Sequence, residues 1–179
     1  LSSGDATAVI CLHGAHVVSF VAGGKERIFV SRKAVFDGEK AIRGGIPVCF
    51  PQFSDRGDAG RKHGFARNLP FRHETTGEGS ETPSSPCEKA VLVLEDNEAT
   101  RALWDHRFLL SLTFSLDGAA GTLSVAMEVT NLGSTEMKNV TAALHSYFAT
   151  PEGIDTVSIL GLGDVEYIDQ LATDEEKVL

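Results

Sequence analysis

FLLSLTFSLDGAAGTLSVAMEV, residues 108–129, is the stretch that decides the fold class. Phe108, Leu110, Leu112, Phe114 and Leu116 alternate with Leu109, Ser111, Thr113 and Ser115, the two-residue period of a strand with one buried face. Asp117-Gly118 then supplies turn chemistry, and Leu123, Val125, Met127 and Val129 resume the alternation. The two runs read as neighbouring antiparallel strands. Asn131, Gly133 and Ser134 mark another turn. A third run, Lys138–Phe148, puts Val140, Ala142, Leu144 and Phe148 on one face and Thr141, Ala143, His145 and Tyr147 on the other, so His145 should point away from the larger apolar side chains.

Shorter strands are expected at Thr7–Leu12, His16–Val21, Arg27–Val30, Lys89–Glu95 and Val157–Leu160, separated by Gly, Asp and Ser. No long amphipathic helix is evident. Many short strands with antiparallel turn signals indicate an all-β antiparallel sandwich or barrel. A chain of 179 residues is long enough for one domain with a sizeable core, so a single domain over residues 1–179 is expected. Thr75–Glu88, rich in Gly, Ser, Pro and Glu and without periodicity, reads as a surface loop.

The net charge of −9 argues against nucleic-acid or anionic-membrane partners, which require an excess of Lys and Arg at the contact. The acid is unevenly spread. Between Arg43 and His73, six basic residues face two acidic ones, so that segment carries +4 and the remainder −13. A small anionic ligand suits the segment. Cys11, Cys49 and Cys87 are odd in number and far apart, which disfavours both a disulfide framework and a zinc site and fits a reducing compartment. No apolar run reaches bilayer-spanning length and no basic-then-apolar leader opens the chain, so a soluble, cytoplasmic protein is expected, although a presequence can precede Leu1.

Residues 42–67, IRGGIPVCFPQFSDRGDAGRKHGFAR, are too rich in Gly and Pro for regular structure throughout. Gly44 and Gly45 permit close backbone approach, Pro47 and Pro51 stiffen the path, and Arg43, Gln52, His63 and Arg67 place polar heads along it. Such a loop can wall a binding cleft. Equally, its arginines can be solvated and His63 can pack or cap a turn. His145 carries an imidazole suited to proton donation near neutrality, but a histidine in a strand is more often a packed or surface residue.

Three ordered segments narrow the choice: IRGGIPVCFPQF (42–53), HGFARN (63–68) and LHSYF (144–148). Together they resemble the signature series of the glucose-6-phosphate 1-epimerase-like proteins, also called hexose-6-phosphate mutarotases, of the aldose 1-epimerase superfamily. The similarity extends from FVSRKAVFDGEKAIRGG (29–45) through LWDHRF (103–108) to YIDQL (167–171) and covers nearly the whole chain. The resemblance implies a galactose mutarotase-like supersandwich with a sugar cleft over one sheet, needing no metal or organic cofactor. It also implies that His145 is the general acid that protonates the ring oxygen, while a C-terminal glutamate takes the proton of the anomeric hydroxyl. Arg43 and Arg67 would bind substrate, including its phosphate, and His63 would bond a sugar oxygen. Gln52 and Lys62 would complete the contacts.

Two departures accompany the match. Ser54 stands where a PQFG sequence carries Gly, and Lys62 stands where relatives often carry Gln. The family pattern also continues beyond YIDQL to the catalytic glutamate, a motif that Glu152, Glu166, Glu175 and Glu176 do not occupy. The sandwich is therefore expected to be C-terminally incomplete, and this chain inactive without that base. The alternative reading is a non-catalytic carbohydrate-binding β-sandwich module.

Overall fold

The computed structural model describes residues 1–74 and 87–167, which form ten strands and one short α-helix. In chain order these are β1 (Ser2–Ser3), β2 (Ala6–Cys11), β3 (His16–Ala22), β4 (Lys25–Glu26), β5 (Val48–Cys49), β6 (Arg72–Glu74), β7 (Lys89–Glu95), α1 (Glu98–Leu103), β8 (Phe108–Asp117), β9 (Thr122–Asn131) and β10 (Ala143–Leu144). Two sheets have four antiparallel strands each, ordered β1-β2-β3-β4 and β6-β7-β8-β9, and β5 pairs with β10.

The alternation in β8 sets the larger sheet. Leu112 stands opposite Leu92 of β7 and Met127 of β9, and Phe114 stands opposite Ala90 and Val125. This register places the apolar residues of three strands on one face, since side chains that pair across strands share a side of the sheet. Phe108, Leu110, Leu112, Phe114 and Leu116 are all buried there. Val17 of β3, Val48 of β5 and the loop residues Phe50 and Phe65 cover that face, giving a core shared between sheets. Between β7 and β8 a capping box starts α1: the Asn97 side chain accepts from the Thr100 N–H, and the Thr100 hydroxyl accepts from the Asn97 N–H. The helix delivers Trp104 into the core, where its ring lies 5.7 Å from that of Phe50.

The chain divides into two compact units, Leu1–Ala149 and Thr150–Leu179. The first holds all ten strands. The described part of the second has one 3-10 turn, Ile154–Thr156, and its Ile159 and Leu160 are exposed. Val157–Leu160, expected as a strand, is irregular. Alternation alone makes no strand unless a neighbour accepts its backbone ladder. The expected strand at Arg27–Val30 is displaced to Lys25–Glu26, with only isolated bridges at Ile28 and Val30. Lys138–Phe148 is likewise reduced to Ala143–Leu144, because this segment pairs with the loop strand β5 and not with β9; Val140 and Phe148 are exposed. Residues 75–86 of the expected surface loop lie outside the described residues. Among the described residues no helix is long and apolar enough to cross a membrane.

Leu112 sits at the centre of the packed face with no exposure. Leu112→Ala should cost about 3 kcal/mol of stability through lost burial and a residual cavity, read as a lower urea midpoint at unchanged slope.

Candidate functional site

The loop after β4 owes its shape to close backbone approach. A Cβ on Gly64 would stand 2.1 Å from the Phe50 carbonyl oxygen, so only glycine lets residues 63–67 run against residues 49–51. A Cβ on Gly45 would lie 2.3 Å from His16 Nε2. Through these contacts the loop is drawn over the core while its polar residues rim a cleft.

His63 and His145 come together at this rim, with ring centroids 5.6 Å apart. The His145 backbone N–H donates to the Pro47 carbonyl at 3.0 Å, continuing the β5–β10 ladder. Its ring stacks on Tyr147 at 4.9 Å, as two residues on one face of an extended segment should. Phe53 touches both imidazoles, with centroids 5.1 Å from His63 and 5.9 Å from His145. The Ser54 N–H donates to His63 Nδ1 at 3.1 Å, and the Cys49 thiol sulfur lies 3.6 Å from the same nitrogen. With Nδ1 accepting, neutral His63 carries its proton on Nε2. Burial first, then the positive charge of Arg67, pulls the His63 pKa below its ordinary value. Ser54 and His63 both adopt left-handed backbone, at φ 53° and 64°, so Ser54 keeps the conformation that glycine would supply at no strain.

Beside the histidines opens a cavity of about 380 Å³ lined by Arg43, Arg67 and Tyr147 together with Lys33, Lys40 and Arg61. Glu39 is its one acidic lining residue. Arg67 is half-buried. Its Nη2 donates to the Lys62 carbonyl at 3.0 Å, while Nε is buried without a partner among the described residues. None of the ion pairs among the described residues involves a cation of this cavity. Burial lowers the Arg67 pKa from its ordinary value, and neighbouring Arg61 and Arg43 press in the same direction.

Not all the expected contacts gather here. Gln52 is buried inside the loop, where its amide donates to the Ser54 carbonyl at 3.0 Å and accepts from the Ala59 N–H at 2.9 Å. Both ends of its side chain are thus committed to backbone. Lys62 is exposed and is not among the cavity lining residues, though its carbonyl orients Arg67. Conversely, Lys33 and Lys40 line the cavity without a sequence signal of their own, and Arg61 carries only its place among the six basic residues of the positive segment. Lys33 and Lys40 precede the segment of positive charge balance, and extending that window towards residue 32 would have included them.

Comparison with known proteins places this geometry in context. The family model described as Aldose 1-epimerase matches residues 1–178. A Cenchrus ciliaris protein named "Putative glucose-6-phosphate 1-epimerase" is 36% identical over 172 residues, covering 94% of this chain and 51% of that protein. The crystal structure of a Salmonella typhimurium protein described as a "putative mutarotase" superposes with a TM-score of 0.61 at 32% identity, covering 80% of this chain and 45% of that one. A galactose mutarotase related enzyme from Lactobacillus acidophilus gives a TM-score of 0.55 at 22% identity, covering 73% and 42%. The fold is therefore of the galactose mutarotase-like type, and the chain spans about half the length of the curated relatives it matches.

Behind the loop, His16 is buried and its Nε2 donates to the Gly44 carbonyl at 2.7 Å. Desolvation lowers its pKa from 6.5 to about 4, despite that hydrogen bond. The unfolded chain then binds more protons than the folded one between these values. Stability should be greatest above pH 6.5 and fall as pH drops towards 4, by about 3 kcal/mol at most from this group. His63 acts in the same direction. Urea unfolding at several pH values should show the decline, and His16→Gln should flatten most of it.

Proposed function

Because the chain belongs to the aldose 1-epimerase family, we propose that its protein interconverts the α and β anomers of a hexose 6-phosphate, with glucose 6-phosphate the first candidate. One observation carries the phosphate preference: Arg67 is a half-buried cation with no carboxylate partner among the described residues, beside further cations in one cavity. A partly desolvated guanidinium without a counter-ion is costly, and a bound phosphate relieves the cost through charge-assisted, bidentate hydrogen bonds. The names of the relatives favour the same substrate class.

In this reading the phosphate lies against Arg43 and Arg67, and the sugar ring extends over Tyr147 towards the paired imidazoles. His145 protonates the ring oxygen, which weakens the bond to the anomeric carbon, while Nε2–H of His63 steadies a sugar oxygen. Removal of the anomeric hydroxyl proton opens the ring. Rotation of the aldehyde and reclosure with reversed proton transfers exchange the anomers. The base for the hydroxyl proton is assigned to no residue of this chain, since none of its glutamates matches the family motif. Gln52 is read as a brace that shapes the loop.

Arg43→Ala or Arg67→Ala should weaken glucose 6-phosphate binding by about 1.5–3 kcal/mol and leave free glucose nearly unaffected; equal affinity in calorimetry would remove the arginines from the phosphate site. In the full-length protein, His145→Asn should slow anomer exchange by about a hundredfold or more while sparing the fold, as followed by polarimetry. The 179-residue chain by itself should bind the sugar phosphate yet show no exchange above buffer.

A further inference from the structure

The cations of the cavity come from two stretches of chain that do not hold each other by side-chain ion pairs; a long Asn68 Nδ2–Glu39 carbonyl hydrogen bond of 3.5 Å joins them at one point. Lys33, Lys40 and Arg43 belong to one, Arg61 and Arg67 to the other. Between them runs His13-Gly14-Ala15-His16, which lines no part of the cavity. His13 Nε2 lies 3.1 Å from the Lys40 carbonyl oxygen, and His16 Nε2 lies 2.7 Å from the Gly44 carbonyl oxygen. A carbonyl only accepts, so each imidazole donates, and two rings of one turn grip the same stretch four residues apart. The opposite side of the turn meets the second stretch. The Gly14 N–H donates to the Leu69 carbonyl at 2.8 Å, and a Cβ on Gly14 would stand 2.8 Å from the Arg67 carbonyl oxygen. The Phe71 N–H closes the junction on the Leu12 carbonyl at 2.8 Å.

From these contacts we infer that the His13–His16 turn is the positioning element of the anionic subsite, setting the spacing of its two cationic walls by gripping both through their backbone. The inference rests on the reading of the cavity as a phosphate subsite. Neither histidine touches the ligand. Long cationic side chains on loops reach a phosphate only from fixed Cα positions, and their mutual repulsion opposes the closeness of the walls. The Ser31 N–H to Arg43 carbonyl bond at 3.0 Å fixes the first wall from its other side, and the turn links it to the second. His16 supplies the buried anchor, with Nδ1 left without a partner among the described residues, and His13 supplies the partly exposed one.

The test pairs His13→Leu with His13→Gln, whose amide restores a donor near the position of Nε2, and repeats both changes at His16. Backbone hydrogen exchange over residues 37–45 and calorimetric affinities for glucose 6-phosphate and glucose are measured on the same preparations. His13→Leu should speed exchange over that stretch by about tenfold and weaken glucose 6-phosphate binding about five- to tenfold, with glucose binding unchanged and the thermal midpoint within about 2 °C. His13→Gln should restore both. His16→Leu should act in the same direction and more strongly, and if it fails to fold, the His13 pair decides. Exchange and affinity both within about twofold of wild type in His13→Leu overturn the inference. Faster exchange with unchanged phosphate affinity also overturns it, because the turn would then be structural only. Wild-type protein that binds glucose 6-phosphate no better than glucose instead overturns the reading of the cavity, and the exchange rates then judge separately whether the turn holds the loop.

Discussion

The cleft depends on how Phe50 is seated. Its ring is fully buried and meets Phe108 at 5.2 Å, Trp104 at 5.7 Å and Phe65 at 6.2 Å, so one side chain ties the loop to β8 and to the end of α1. Its carbonyl accepts from the Phe65 N–H at 2.9 Å and the Ala66 N–H at 3.2 Å, drawing the segment that carries His63 and Arg67 against it. Immediately before it, Val48 and Cys49 pair with β10 and so bring His145 alongside. A loop this rich in glycine has little intrinsic order, and fixing each residue costs about 1–2 kcal/mol of entropy. Burial of the aromatic anchor offsets that cost where the functional residues need it.

Electrostatics work against the fold at the same place. Arg67 loses solvation in company with Arg43 and Arg61, and none of the three finds a carboxylate among the described residues. A buried charge with compensation looks different: Asp96, whose side chain is nearly inaccessible, receives both Arg101 and Arg107 and also caps the Phe108 N–H. Arg67 has no such partner, so its desolvation counts against the folded chain. An incoming anion also meets a protein whose overall charge is −9, but at physiological salt the screening length is about 8 Å, so the local cations dominate at binding distance.

Strain follows the same map. Ser54 and His63 hold left-handed backbone at the two ends of one hydrogen-bonded crossing, where the His63 N–H donates to the Ser54 carbonyl at 2.7 Å and the Ser54 N–H donates to His63 Nδ1. Such conformations cost of order 1–3 kcal/mol each and persist when the surroundings over-determine them. Here they fix the imidazole tautomer, which decides that Nε2 is the donor.

The order of amino acids is enough for the strand class, the β8–β9 hairpin and its turn, the same-face placement of His145 and Tyr147, and the family through motifs at 42–53, 63–68 and 144–148. These are local properties: alternation, turn chemistry and residue order need no knowledge of a neighbour. Tertiary structure alone decided that Lys138–Phe148 keeps only a fragment of strand, because a ladder exists only where a partner strand lies. It decided that Gln52 turns inward while Arg61 faces the cavity, although both sit in the same irregular loop without a period to orient them. It also brought Lys33 and Lys40 to Arg67, and set His13 and His16 behind them. A wider charge window would take in Lys33 and Lys40, but a count along the chain does not say which charges meet, since distance in sequence and distance in the fold are joined only by packing.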